Sequence, residues 1–199
     1  MRFRFTRLSV IVLLIYVLPT ALICSGVIPF AYRYHVLLLM AAAAGIVSWR
    51  AGHTSALHGL RLDNLRASLR LNAFFLVLAA VGVAAMLLLS SAHHSLNSPG
   101  VAFGLFYVLI SCPAQEFLFR SYPWAELRSA GCSSPVLEFA LLVIPYTLVH
   151  LVYRDLTTLA LTFAAGAGWY FIYRRAPNLW GVSLAHSAAG LATIVCGLI

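Results

Sequence analysis

The chain has 199 residues, of which 62% are hydrophobic and only 9% charged. Soluble domains carry about 25% charged residues, so this composition excludes an ordinary soluble globular protein and indicates an integral membrane protein. All 13 basic residues are arginine and give a net charge of +8, yet they are scattered between apolar runs and form no basic face, which argues against nucleic acid as a partner.

A bilayer core about 30 Å thick needs roughly 20 apolar residues per helix. By that measure the sequence predicts an all-α bundle of about seven transmembrane helices, near 8–28, 34–49, 71–89, 101–127, 136–153, 156–173 and 178–198. The whole chain, 1–199, is expected to form one membrane domain, with its chemistry-bearing motifs in 101–199. Arg2, Arg4 and Arg7 before the first apolar run resemble the start of a signal peptide. That run lacks a small-residue cleavage site and six spans follow, so it reads as a retained helix. The second span is short and is preceded by Arg33 and His35.

Arginine placement predicts the orientation. With the N-terminus inside, Arg2, Arg4, Arg7, Arg50, Arg61, Arg66, Arg70, Arg128, Arg174 and Arg175 lie on the cytoplasmic side. Only Arg33 and Arg154 lie outside, an asymmetry of ten to two that follows the positive-inside rule. Between the second and third spans, Leu60, Leu62, Leu65 and Leu69 recur at roughly helical spacing among Arg61, Arg66 and Arg70. That pattern predicts a short interfacial helix with its arginines at lipid headgroups. In the sixth span, Ala164-Ala165-Gly166-Ala167-Gly168 is a small-residue face suited to close helix packing. Cys24, Cys112, Cys132 and Cys196 show no metal-type spacing and read as packing residues.

Gln115-Glu116-Phe117-Leu118-Phe119-Arg120 places a carboxylate and a guanidinium inside the fourth span. Ionisable groups in hydrocarbon cost several kcal/mol and mark functional sites with a nearby partner. Glu116 and Arg120 are four apart, share a helix face and can neutralise each other. Tyr146 and His150 repeat that spacing in the fifth span, and His186 sits in the seventh with Ser183 nearby and Asn178 at its start. Pro113 and Pro145 lie just before the polar groups of their helices, where each removes a backbone hydrogen bond and bends the chain. A buried histidine alone is an ordinary packed residue. Glu and Arg on one helix with a His on each of two others indicate chemistry.

Gln115–Arg120, then Tyr146-x-x-x-His150, then His186 within Asn178-Leu179-Trp180-Gly181-Val182-Ser183-Leu184-Ala185-His186 resemble the CPBP intramembrane proteases. That family includes the CAAX prenyl endopeptidases and the bacteriocin-processing or immunity proteins. Its pattern is Glu-Glu-x-x-x-Arg, an aromatic-x-x-x-His, then His-x-x-x-Asn or a similar polar residue. Gly59-Leu60-Arg61 also looks like the family's approach to its core. The resemblance implies a small bacterial member in the inner membrane, N-terminus inside, cleaving a peptide bond near the C-terminus of a membrane-associated protein. It also implies that Glu116 and His150 activate a water, that His186 steadies the oxyanion, that Arg120 holds the carboxylate and that Tyr146 lines the pocket. One Glu and two His suit a three-ligand zinc site, Glu116, His150 and His186, as well as a metal-free mechanism. With no adjacent carboxylate as a separate base, the metal-free form without cofactor is the expectation.

Two departures stand out. The family's first glutamate is Gln115 here, which accepts no proton at neutral pH, and the position four after His186 is Gly190 instead of asparagine. They keep open a catalytically silent relative acting in bacteriocin immunity or membrane scaffolding. A small transporter would spread its polar groups over two matched halves, and no internal repeat is present. Straight helices would also separate Glu116 from His150 by on the order of 15 Å along the membrane normal. Meeting requires tilt, proline kinks or a fifth helix continuing past Arg154.

Overall fold

The computed structural model describes residues 8–89 and 97–198. Among these residues there are seven helical segments and no strand. They are α1 (Leu8–Cys24), α2 (Phe30–Arg50), α3 (Leu65–Leu89), α4 (Val101–Ser129), α5 (Pro135–Tyr153), α6 (Leu156–Arg175) and α7 (Leu179–Val195). Five of them, α2 to α6, are long and apolar enough to cross a membrane, while α1 and α7 are shorter apolar helices. The protein is an all-α integral membrane bundle.

Its polarity is inverted relative to a soluble domain. Leu88, Leu156, Val101, Val136 and Leu109 are 67–86% exposed, whereas Glu116, Arg120, Ser121, Glu138 and Asn178 are fully buried. Apolar surface on that scale is stable only against lipid, and buried polar side chains are stable only with partners. Helix α4 lies at the centre, against α2, α5 and α7.

Prolines shape the central helices. Pro19, Pro113 and Pro123 each follow a wide π turn, at Val12–Val17, Tyr107–Ser111 and Phe117–Ser121. A proline supplies no N–H to the carbonyl four residues earlier, and i→i+5 winding upstream is one way for the backbone to adjust. The freed groups find side chains: the Tyr16 hydroxyl donates to the Leu118 carbonyl at 2.7 Å. In α5, Pro145 precedes a 3-10 stretch at Val149–Tyr153, which rises about 2.0 Å per residue against 1.5 Å in an α-helix. Arg154 then ends α5 in a left-handed conformation, φ 55°. The fifth helix therefore does not continue past Arg154.

The segment between α2 and α3 differs from expectation. Residues 51–64 form turns rather than an interfacial helix, and Leu65, Arg66, Leu69 and Arg70 belong to α3. The leucine spacing was real, but it announced the first turns of a span. The turns are pinned under the bundle. The Leu179 N–H donates to the Gly59 carbonyl at 2.9 Å, and Asn178 Nδ2 donates to the Arg61 carbonyl at 2.7 Å. Gly59 adopts φ +69°, and a Cβ there would stand 3.1 Å from the Asn178 backbone. His58 is the centre of this loop. Its Nδ1 pairs with Ser121 Oγ at 2.9 Å, its Nε2 with Ser48 Oγ at 2.6 Å, and its carbonyl accepts from Ser121 Oγ and Tyr173 at 3.0 Å.

Burial lowers the His58 pKa, and the nearby His53 lowers it further, against a smaller opposing effect of its bond to Ser121. A base depressed in the folded state contributes stability that is present above its unfolded value near 6.5 and is lost as pH falls through the folded value. Thermal midpoints in detergent should accordingly fall as pH drops below about 6.5. His58→Gln should flatten that dependence between pH 7 and 5; an unchanged slope would contradict this role.

A second polar anchor joins α4, α5 and α6. Buried Glu138 accepts from Arg128, and from Arg174 Nη1 at 3.1 Å, while Arg128 also lies over the Trp124 ring at 3.9 Å. Removing one partner of a fully buried ion pair costs about 3–5 kcal/mol. Because both arginines are partly exposed, Glu138→Ala should cost less, about 2 kcal/mol after screening. Thermal unfolding in detergent measures it, and a loss of activity without loss of stability would contradict a structural role.

Candidate active site

Glu116 is fully buried and has two partners on one oxygen. Arg120 Nη1 donates to Oε1 at 2.8 Å, and His186 Nδ1 lies 2.6 Å from the same atom. The first is the i,i+4 contact expected from spacing; the second joins α4 to α7 across 70 positions of sequence. Gln115 is turned elsewhere. Its Nε2 donates to Ser111 Oγ at 3.0 Å, one turn back on α4. Of the two adjacent side chains, Glu116 is the one that meets the histidine.

Tyr146 is the hub of the aromatic wall. The Arg120 guanidinium lies 4.3 Å from its ring centroid, and the ring contacts His150 at 5.1 Å, His186 at 5.9 Å and Phe119 at 5.8 Å. His150 Nδ1 lies 2.7 Å from the Tyr146 carbonyl. A carbonyl only accepts, so this nitrogen carries the proton and Nε2 keeps its lone pair for a reactant. Both histidines thus flank one tyrosine ring, on α5 and α7.

Trp169, absent from the sequence-based site, stacks on His186 with centroids 4.9 Å apart and planes inclined 24°. It stands next to the small-residue run of α6, and the reason for that run is visible here. A Cβ on Gly166 would sit 2.9 Å from Tyr146, and one on Gly168 2.3 Å from Phe75. The packing read from Ala164–Gly168 is therefore what lets α6 carry a tryptophan to the site.

Several buried polar atoms around His186 have no hydrogen-bond partner among the described residues: Glu116 Oε2, Arg120 Nε and Nη2, Trp169 Nε1 and Ser183 Oγ. Buried polar atoms are normally satisfied; these could bond water or a peptide amide. Asn178 is not among them. It lies two turns from His186, accepts from the Gly181 N–H at 2.9 Å and caps α7. Among the described residues, no three His, Cys, Asp or Glu side chains are grouped so as to hold a metal ion. The set Glu116, His150 and His186 does not fit zinc as arranged, and no step below uses a metal.

Residues 97–192 match the family described as Type II CAAX prenyl endopeptidase Rce1-like. That segment, just under half of the chain, is similar to the family. The match agrees with the resemblance carried by the three motifs, and its limits enclose Glu116, Arg120, Tyr146, His150, Trp169, Asn178 and His186. No curated protein and no solved structure matches the chain. The match supports a protease-like role in a lipid environment with a protein substrate. Glu116 lies on α4, His150 on α5, His186 on α7 and Trp169 on α6.

Proposed function

We propose that the chain is an intramembrane endopeptidase of the CAAX type, cutting a peptide bond near the C-terminus of a membrane-associated protein. The observation that carries this reading is the buried Arg120–Glu116–His186 set, closed at 2.8 and 2.6 Å and walled by Tyr146, His150 and Trp169. Arg120 balances the carboxylate charge. A water between Glu116 Oε2 and His150 Nε2 would give its proton to Glu116 as its oxygen attacks the peptide carbonyl carbon. His186, held through Nδ1, presents Nε2 and, when protonated, donates to the oxyanion. The proton then passes from Glu116 to the leaving nitrogen as the C–N bond breaks. The products are a carboxylate and a free amine, with no oxidant or cofactor required.

We place the chain in the inner membrane of a bacterium with its N-terminus inside, on the ten-to-two arginine asymmetry. Reporter fusions after Leu198 that are active only in the cytoplasm would overturn that orientation. We also take 1–199 as one membrane domain, since α2 and α3 outside the matched segment pack against α4 and α7.

The test is cleavage of an S-farnesyl CAAX peptide, alongside its unprenylated form and a membrane-anchored reporter, by the purified chain in lipid nanodiscs. His150→Ala should remove activity while leaving the thermal midpoint unchanged. If the native chain cuts none of the three, the second reading applies. It is a silent relative acting in immunity or scaffolding, which Gln115 and Gly190 favour and in which Glu116→Gln leaves protection intact.

A further inference from the structure

Gly190 has a structural counterpart in Tyr107. His186 and Gly190 are one turn apart on α7 and share a face. A Cβ at Gly190 would stand 2.0 Å from the Tyr107 hydroxyl and 2.8 Å from its Cζ, closer than any side-chain carbon tolerates. The phenol of α4 therefore fills the volume that any larger residue at position 190 would need. Its ring meets His186 edge-on, with centroids 6.3 Å apart.

The local winding explains how it gets there. Tyr107 opens the π turn Tyr107–Ser111, in which residues five apart come side by side. Its hydroxyl accordingly pairs with Cys112, which also bonds Ser187 on α7. Sulfur is a weak acceptor, so the single O–H of the phenol is exchanged readily for a stronger oxygen acceptor. Tyr107 is 7% exposed, and a donor in that setting acts at low dielectric, where it is worth most.

We propose that Tyr107 is a catalytic residue. Its hydroxyl donates a hydrogen bond, beside His186, to the oxyanion formed when water adds to the peptide carbonyl. The tyrosine transfers no proton: the bond forms as negative charge gathers on the carbonyl oxygen and is released when the carbonyl re-forms. This role rests on the endopeptidase reading above, and it explains why position 190 is a glycine.

The experiment uses the full chain in nanodiscs with the same three substrates. Loss of one oxyanion donor lowers kcat by about 10²-fold, so Tyr107→Phe should lose that much while KM and the thermal midpoint stay put. The second variant pairs Tyr107→Ala with Gly190→Asn, placing a side-chain amide in the volume the phenol leaves. It should recover at least about tenfold in kcat over Tyr107→Ala alone, as part of the donor's contribution returns. A space-filling role predicts the same recovery when Gly190→Leu, which supplies volume without a donor, replaces Gly190→Asn in the pair. If Tyr107→Phe fails to fold, the paired variants decide: recovery with Asn but not with Leu supports the donor role, and equal recovery or none with Asn overturns it. Native kcat in Tyr107→Phe, in preparations where Glu116→Gln is inactive, removes Tyr107 and leaves the endopeptidase reading intact. A native chain that cuts none of the substrates removes both.

Discussion

Glu116→Gln should abolish cleavage in a chain that still folds, at a lower thermal midpoint. A positioned general base contributes about 10²–10⁴-fold; the glutamine carbonyl still accepts from Arg120, but the buried guanidinium loses its counter-charge. No other carboxylate can substitute. Glu138 is held by Arg128 and Arg174 at the far end of α5, and Glu126 lies beyond Arg120 on α4. In the same assay Gln115→Glu should not be required for activity, because residue 115 reaches back to Ser111 instead of toward His186. Activity that survives Glu116→Gln but disappears in His150→Ala would defeat the assignment of the base.

Arg120→Ala should produce the largest loss of stability of any single change. It strands a fully buried carboxylate, and breaking a buried ion pair from one side costs about 3–5 kcal/mol. It also removes the guanidinium from the faces of Tyr146 and Trp169, which lie 4.3 and 5.1 Å away and contribute further through cation–π attraction. Combining it with Glu116→Gln should restore much of the thermal midpoint, since the stranded charge is gone. The two changes should therefore be strongly non-additive. Additive losses in that cycle would mean that Arg120 acts by packing alone.

Much of this was legible in the residues. Composition and span length identified a seven-helix bundle, and the ionisable residues of the fourth, fifth and seventh spans identified which helices meet. Glu116, Arg120, Tyr146 and His186 now lie in direct contact or one ring apart, because a charge in hydrocarbon leaves few arrangements other than mutual pairing. Asn178 was visible as the start of α7, but its two-turn distance from His186 makes it a cap. Trp169 and Tyr107 could not be found from spacing. Aromatic residues are common in apolar helices. What distinguishes Tyr107 is the absence of a side chain opposite it at Gly190, and what distinguishes Trp169 is its stacking on His186 from a different helix. The π turns had a partial signal in Pro19, Pro113 and Pro123. A proline says that a carbonyl is released, however, and not whether the backbone kinks, widens or finds a hydroxyl. The loop at 51–64 misled because leucines at helical spacing fit a helix on the membrane surface as well as the first turns of α3.

Helix α7 contains 17 residues, about 26 Å at 1.5 Å per residue, against a hydrocarbon core of about 30 Å. Its ends at Asn178 and Cys196 are both described, so this length belongs to the helix itself. Lipid meets such a mismatch by thinning beside the short element, at a modest cost per ångström. His186 is the eighth residue of the helix, which leaves it about 10 Å from one end and about 14 Å from the other. A dimple in the bilayer would thus shorten the path that water and an extended peptide must travel to reach the carboxylate. Turnover should then depend on acyl-chain length, rising in short-chain lipids and falling in long-chain ones, with the protein unchanged.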